Sequence, residues 1–282
     1  GEGLHQVRGD DVLQHHLVQL HLNGSPAAMI RVEGLHKSFG EQHVLRGIDV
    51  DFHEGQCNLI IGLSGSGKTV FLKFVLGLHK TDEGSISFDG RVLGDMSKKE
   101  VKALRQEMGM VFQGSALFNS MTIEENVRMP LDFFSTMSEA EKTERVGFCL
   151  DRVRIAPEAF SKTPAELSGG MQKRVAIARA IVLNPKYLFC DEPNSGLDPE
   201  TAIVIDQLIH EITHEFGMTT VINTHDMNSV LEIGDHVILL EKGRKAWEGS
   251  MDQVLQSDDS AVVDYVFRSN LFKKVRTALK KG

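Results

Sequence analysis

The run GLSGSGKT, Gly62 to Thr69, fits the spacing G-x-x-x-x-G-K-[ST] and follows the apolar run CNLIIG at 57–62. A strand that turns through glycines into a helix aims a row of backbone N–H groups at one point, where a phosphate fits. The amides of Ser64, Gly65, Ser66, Gly67 and Lys68 can wrap a β-phosphate, Lys68 can reach the β- and γ-oxygens, and the Thr69 hydroxyl can ligate Mg2+. YLFCDEP (187–193) is another apolar run, closed by two carboxylates. Asp191 falls at the strand end where α/β sheets bind ligands and can hold Mg2+ through water. Glu192 is then left to polarise an attacking water. TTVINTHD (219–226) ends a third apolar run in His225, whose imidazole can contact a γ-phosphate if the three strands are neighbours.

A second cradle lies about a hundred residues on. In LSGGMQKRVAIARA (167–180), Ser168 can cap the first N–H groups of a helix, and Gly169 and Gly170 allow close approach by a ligand. Asp198 reads as a helix N-cap followed by Pro199, and Lys173 and Arg174 read as a solvated or salt-bridged helix face.

These residues need a mixed α/β frame. IRVEGL (30–35), CNLIIG, SISFDG (85–90), MGMVF (108–112), YLFCD (187–191), TTVINTH (219–225) and HVILLE (236–241) read as strands, several apolar enough to be covered on both faces. SKKE (97–100) and SEAE (138–141) are capping boxes, and Ile205, Leu208, Ile209, Ile212 and Phe216 form a helical stripe stopped by Gly217. Little strand signal lies between Gln113 and Leu183, which predicts a helical subdomain inserted at about 113–183. The expected organisation is an N-terminal extension over 1–28, disordered or a start-site artefact, with Met29 as functional start. A nucleotide-binding domain follows over 29–256, then a basic amphipathic helix over 257–282.

The tail carries apolar residues Val263, Phe267, Leu271, Val275 and Leu279 every fourth position, and Arg268, Lys273, Lys274, Arg276, Lys280 and Lys281 beside them. It suits docking on a partner subunit, an anionic lipid surface or a solvated end, with docking favoured. Residues 1–28 hold His5, His15, His16 and His21, which leaves a metal site open there. A net charge of -8 argues against nucleic acid as a partner. Three widely spaced cysteines, Cys57, Cys149 and Cys190, read as buried thiols in a reducing cytosol, and no run is apolar enough to span a bilayer.

LSGGMQ resembles the signature motif of ABC-transporter ATPases, and the family's other elements follow in family order. The resemblance covers about residues 30–250. It implies a P-loop NTPase fold of ABC type and ATP hydrolysis with Mg2+. It further implies Phe39 in KSFG stacking on adenine, Gln113 in VFQ sensing Mg2+ and the membrane subunit, SGLD (195–198) as D-loop, and His225 as switch histidine. In this family the P-loop of one copy and the signature of a second close on the same ATP. The two cradles therefore imply a dimer with a second copy of the chain, built on multispanning permease subunits.

QGSALFNSMTIEENVRMPL (113–131) is the segment expected to meet the permease. Met110, Val111, Ala116, Leu117 and Phe118 would supply apolar surface, and Met121 to Met129 a short amphipathic helix. Its GSALF, ENV and Pro130 resemble the Mla/Mce-type ATPases of bacteria, which implies phospholipid transport between inner and outer membranes. An Mce-type lipid-binding subunit and a peripheral place on the cytoplasmic face of the inner membrane go with that reading. Import of a polar solute such as an amino acid is the alternative. A soluble ABC ATPase of translation or DNA repair is a more distant one, because such proteins usually carry two cassettes or a coiled-coil insert. A P-loop kinase leaves LSGGMQ unexplained.

Overall fold

A computed structural model describes residues 28–268 and 270–279 of the chain. The expectations for 1–27, and for Lys280 and Lys281, lie outside them, as do the side chains of Leu271, Val275 and Leu279. Ten strands and ten helices are described: β1 Ala28–Phe39, β2 Gln42–His53, β3 Cys57–Ile61, α1 Lys68–Val75, β4 Glu83–Phe88, β5 Arg91–Val92, α2 Lys98–Gln106, β6 Met108–Val111, α3 Ile123–Phe134, α4 Glu139–Arg152, α5 Gly169–Ile181, β7 Tyr187–Asp191, α6 Pro199–Phe216, β8 Thr219–Asn223, α7 Met227–Ile233, β9 His236–Glu241, β10 Arg244–Ser250, α8 Met251–Gln256, α9 Ser260–Val266 and α10 Asn270–Leu279.

Two sheets carry the fold. A six-stranded sheet runs β10-β9-β3-β8-β7-β6, parallel except for the β9–β10 hairpin. A four-stranded antiparallel sheet runs β2-β1-β4-β5. The central strands β3 and β8 are buried along their whole length because helices and the second sheet cover both faces, which explains the apolar Leu59, Ile60, Ile61, Val221 and Ile222, while the buried polar Asn58, Thr220 and Asn223 are hydrogen-bonded. Between the sheets, Phe71, Leu72, Phe74 and Val75 of α1 join Val50, Phe52, Ile86 and Phe88 in one core. A second core packs the other face of the six-stranded sheet on α3–α7.

Helix starts obey local chemistry. Reciprocal capping boxes at Ser97/Glu100, Thr122/Glu125 and Ser138/Glu141 begin α2, α3 and α4. Asp198 accepts from the Thr201 amide to begin α6, which Gly217 ends at φ 62°. No strand falls between Val111 and Tyr187 among the described residues, and α3, α4 and α5 occupy that interval.

Several expectations need correction. The helix expected over 121–129 starts at Ile123 and continues to Phe134, past Pro130. Val111 is fully buried and offers no contact surface, Met110 and Leu117 are partly buried against the two cores, and Ala116 and Phe118 are exposed. Lys173 is buried and its ammonium donates to the Gln113 carbonyl. Arg174 donates to the Arg154 carbonyl at 2.8 Å, and neither Lys173 nor Arg174 has an ion-pair partner among the described residues. An ammonium folded against a carbonyl replaces the solvated face because α5 lies on the sheet on one side and under the 113–118 loop on the other.

The three cysteines are buried and unbridged. Burial pushes the Cys57 thiol up to about 12 and that of Cys149 to about 11. No described helix is long and apolar enough to cross a membrane.

Candidate active site

The P-loop leaves β3 at Ile61. Gly62 has φ 150°, and a Cβ there would lie 2.2 Å from the Leu240 carbonyl oxygen, so only glycine fits. Gly67, at φ 104°, caps α1, whose first residue is Lys68. The Lys68 ammonium donates to the carbonyls of Gly62 at 2.7 Å and Leu63 at 3.3 Å, curling back into the loop. Burial lowers its pKa, opposed by the nearby Glu192 and Asp191. The Ser66 hydroxyl is buried without a hydrogen-bond partner, while Ser64, Gly65 and Thr69 are exposed.

Opposite the loop stand the ends of β7 and β8. Asn223 donates from Nδ2 to one oxygen of Asp191 at 3.1 Å, and no described contact takes the other oxygen. A divalent cation suits that free carboxylate oxygen, since Asp191 and the exposed Thr69 line the same cleft. Glu192 holds a left-handed backbone at φ 49°, its amide bonded to the Asn223 carbonyl at 2.9 Å. Its carboxylate accepts from His225 Nδ1 at 2.7 Å. Gln113 donates from Nε2 to Ser195 Oγ at 3.1 Å, tying the segment after β6 to the D-loop.

Thus Gly62, Ser64, Gly65, Gly67, Lys68, Thr69, Gln113, Asp191, Glu192 and His225 line one cleft. Ser168, Gly169 and Gly170 do not. Ser168 caps α5 through the Met171 amide. A Cβ on Gly170 would meet the Thr201 methyl at 2.5 Å, so that glycine serves the packing of α5 on α6. Phe39 ends β1 opposite Gln42, half-exposed, beside the cleft rather than in its wall, and Gln42 and Val44 of β2 line it instead.

Sequence reasoning missed three contributors. Tyr265 of α9 donates to the Gly62 carbonyl at 3.1 Å and lines the cleft, which places part of the C-terminal segment against the P-loop of its own chain. Arg179 of α5 donates to the carbonyls of Ser115 and Ala116 at 2.8 and 2.7 Å, and both residues hold positive φ. With Lys173 on Gln113, the signature helix clamps the loop that carries Gln113. The third is Asp206, 2 % exposed on α6, which accepts from Ser229 Oγ at 2.7 Å and Asn194 Nδ2 at 3.1 Å and so joins the D-loop to the helix after His225. Its signal was a carboxylate beside Ile205 in an apolar stripe.

Burial raises the Asp206 pKa to about 6, with the hydrogen bonds from Ser229 and Asn194 opposing it. A carboxyl that holds its proton longer when folded stabilises the fold at low pH, and that contribution is lost as pH rises from about 4 through about 6. Asp206→Asn lacks this loss. Relative to wild type it is expected to gain about 2 kcal/mol between pH 4 and pH 7.5, read from urea unfolding at both pH values. A difference independent of pH would show that folding does not raise the pKa of Asp206.

Residues 45–195 match the family profile described as ABC transporter. The chain is 36% identical over 237 residues to the probable ribonucleotide transport ATP-binding protein mkl of Mycobacterium leprae, covering 84% of this chain and 68% of that one. It is 36% identical over 258 residues to the methionine import ATP-binding protein MetN of Campylobacter jejuni, covering 86% and 76%. Its fold is similar to the dimeric post-hydrolysis state of the ATP-binding cassette MJ0796 bound to ADP and Pi, with TM-score 0.71 and 33% identity over 79% of this chain and 99% of that one. It is also similar to cbiO1 from Clostridium perfringens, part of the transporter complex cbiONQ, with TM-score 0.76 and 30% identity over 90% and 99%. With its phosphate loop, carboxylate pair and histidine in one cleft and the profile spanning more than half its length, this chain belongs to the ATP-binding subunits of ABC transporters and is an ATPase.

Proposed function

We propose that two copies of this chain close head-to-tail on two ATP molecules and drive a multispanning permease. The observation that carries this is the incomplete cleft: the P-loop, Asp191, Glu192, His225 and Gln113 meet in one chain while Ser168, Gly169 and Gly170 lie outside it. A second copy would supply those donors where charge develops on the transferring oxygens. In the reaction Glu192 takes a proton from water as its oxygen attacks the γ-phosphorus, and the bond to the ADP oxygen breaks. Lys68 shifts from the Gly62 carbonyl to phosphate, and His225, held by Glu192 in the open chain, is positioned to meet the γ-phosphate. Phe39 supplies a stacking face for adenine at the mouth of the cleft. Thr69, Asp191 and Gln113 would hold Mg2+, which supplies charge withdrawal from the phosphoryl oxygens.

The permease docks beside Gln113. Phe112 and Phe118, next to Gln113 in the chain, are each 46 % exposed, and Phe133 and Phe134 at the end of α3 are 72 and 48 % exposed. The cargo we propose is phospholipid moved between inner and outer membranes, with an Mce-type lipid-binding subunit and the ATPase on the cytoplasmic face of the inner membrane. The support is GSALF, ENV and Pro130 in that segment. Polar-solute import is the second reading, favoured by the names of the relatives, methionine import and ribonucleotide transport. Residues 29–256 form the ATPase domain in this reading, 113–183 its helical subdomain, and 257–282 an appended tail. Tagged purification from detergent-solubilised native membranes, with mass spectrometry, decides the cargo. A permease with an Mce-type subunit supports lipid transport, whereas a solute-importer permease overturns it.

A further inference from the structure

The last turns of α6 read His210-Glu-Ile-Thr-His214, and the two histidines, four apart, share one helix face. Their Nε2 atoms are 3.0 Å apart, with ring centroids at 4.2 Å and planes inclined by 60°, so the rings converge at their edges rather than stack. Asp235, in the turn between α7 and β9, brings Oδ2 to 3.3 Å from His214 Nε2, and the three donor atoms all lie within 4.8 Å of one another. Two imidazole nitrogens with lone pairs face to face need a proton or a cation between them. Tetrahedral zinc with bonds of about 2.0–2.1 Å has neighbouring ligand atoms roughly 3.3 Å apart, close to the 3.0 and 3.3 Å separations of His214 Nε2 from its two neighbours. The carboxylate is also oriented from behind, since Asp235 Oδ2 accepts the Cys57 amide at 2.8 Å.

We propose that His210, His214 and Asp235 form a zinc site, with water completing the coordination, on the edge of the sheet opposite the nucleotide cleft. Cys57 opens β3 and Thr219 opens β8, so the site lies at the start of strands whose far ends carry the P-loop and His225. The cation would cross-link the end of α6, whose other end begins at the D-loop residue Asp198, to the head of β9. The site is not a hydrolytic centre. Glu211, the residue that would act as base in a zinc protease of this spacing, pairs instead with Arg152 at 3.3 Å and Arg154 at 3.8 Å. In the absence of a cation, a proton shared by His214 with Asp235 holds the three groups together.

The test uses the full chain, stripped with chelator and titrated with Co2+, whose visible absorption reports tetrahedral coordination, followed by displacement with Zn2+. The histidines at 5, 15, 16 and 21 compete for metal, so the measured quantity is the difference between wild type and variants at α6. Wild type is expected to show one tetrahedral Co2+ equivalent that His210→Ala and Asp235→Asn each weaken at least tenfold. A variant with the four N-terminal histidines changed to Ala retains it. Zn2+ should raise the melting temperature of wild type and not that of His210→Ala. A tetrahedral signal that survives His210→Ala and Asp235→Asn in folded protein, or none in wild type, overturns the site and leaves a proton-sharing triad.

Discussion

Glu192→Gln is expected to lower kcat for ATP hydrolysis by at least about 100-fold while leaving the KM for ATP within a few-fold, since a positioned general base contributes roughly 10²–10⁴. The substitution keeps the shape of the side chain, and the left-handed backbone at φ 49° is as strained for glutamine as for glutamate, so folding should not change. Only the oxygen that takes a proton becomes unable to do so. Glutamine can still accept from His225, so the 2.7 Å contact survives and the histidine stays placed. Slow hydrolysis with intact binding should let the ATP-bound form accumulate, visible as a dimer on size exclusion with ATP and Mg2+. A variant that turns over normally would show that Glu192 does not activate the water. A raised KM with unchanged kcat would move its role to nucleotide binding.

What the sequence made legible follows from covering. Strands β3, β7 and β8 are buried on both faces, so their sequences are mostly apolar, with Asn58, Thr219, Thr220 and Asn223 as the polar exceptions within β3 and β8, and each ends where chemistry starts: Gly62, Asp191 and His225. β2 escaped because its inward residues are Leu45, Ile48, Val50 and Phe52, a spacing broken at Gly47, where φ is 75°. That irregularity destroys the period-2 signal on which strand reading depends. Lys173 and Arg179 escaped for another reason. Long cations on a helix are usually solvated, and only the folded chain shows the 113–116 carbonyls lying over α5 to receive them. The histidines of α6 fall between the apolar positions of its stripe and carry no signal of their own in the sequence, because their partner Asp235 arrives from another element. Tyr265 likewise gained its place only when α9 folded back on the P-loop.

Ser168→Arg and Lys68→Ala should each be inactive alone, and a 1:1 mixture should regain about a quarter of wild-type activity, because half of the two-fold dimers are mixed and one site in each is whole. Lys68→Ala removes the ammonium now held at 2.7 Å from the Gly62 carbonyl, and nucleotide binding should fall with it. Ser168→Arg removes the cap on the Met171 amide, costing about 1 kcal/mol of stability, and puts a long side chain where the partner's phosphate would lie. In a mixed dimer the intact P-loop of the first chain meets the intact Ser168 of the second. The other site carries both defects. Recovery would therefore require that each site draw residues from two chains, as expected from a cleft in which Ser168, Gly169 and Gly170 take no part. Mixed dimers can be isolated through two different tags, so their formation is measured separately from their activity. Isolated mixed dimers that bind one ATP but stay inert would mean that the two sites fire only together. Mixed dimers that bind none would sink the head-to-tail arrangement itself.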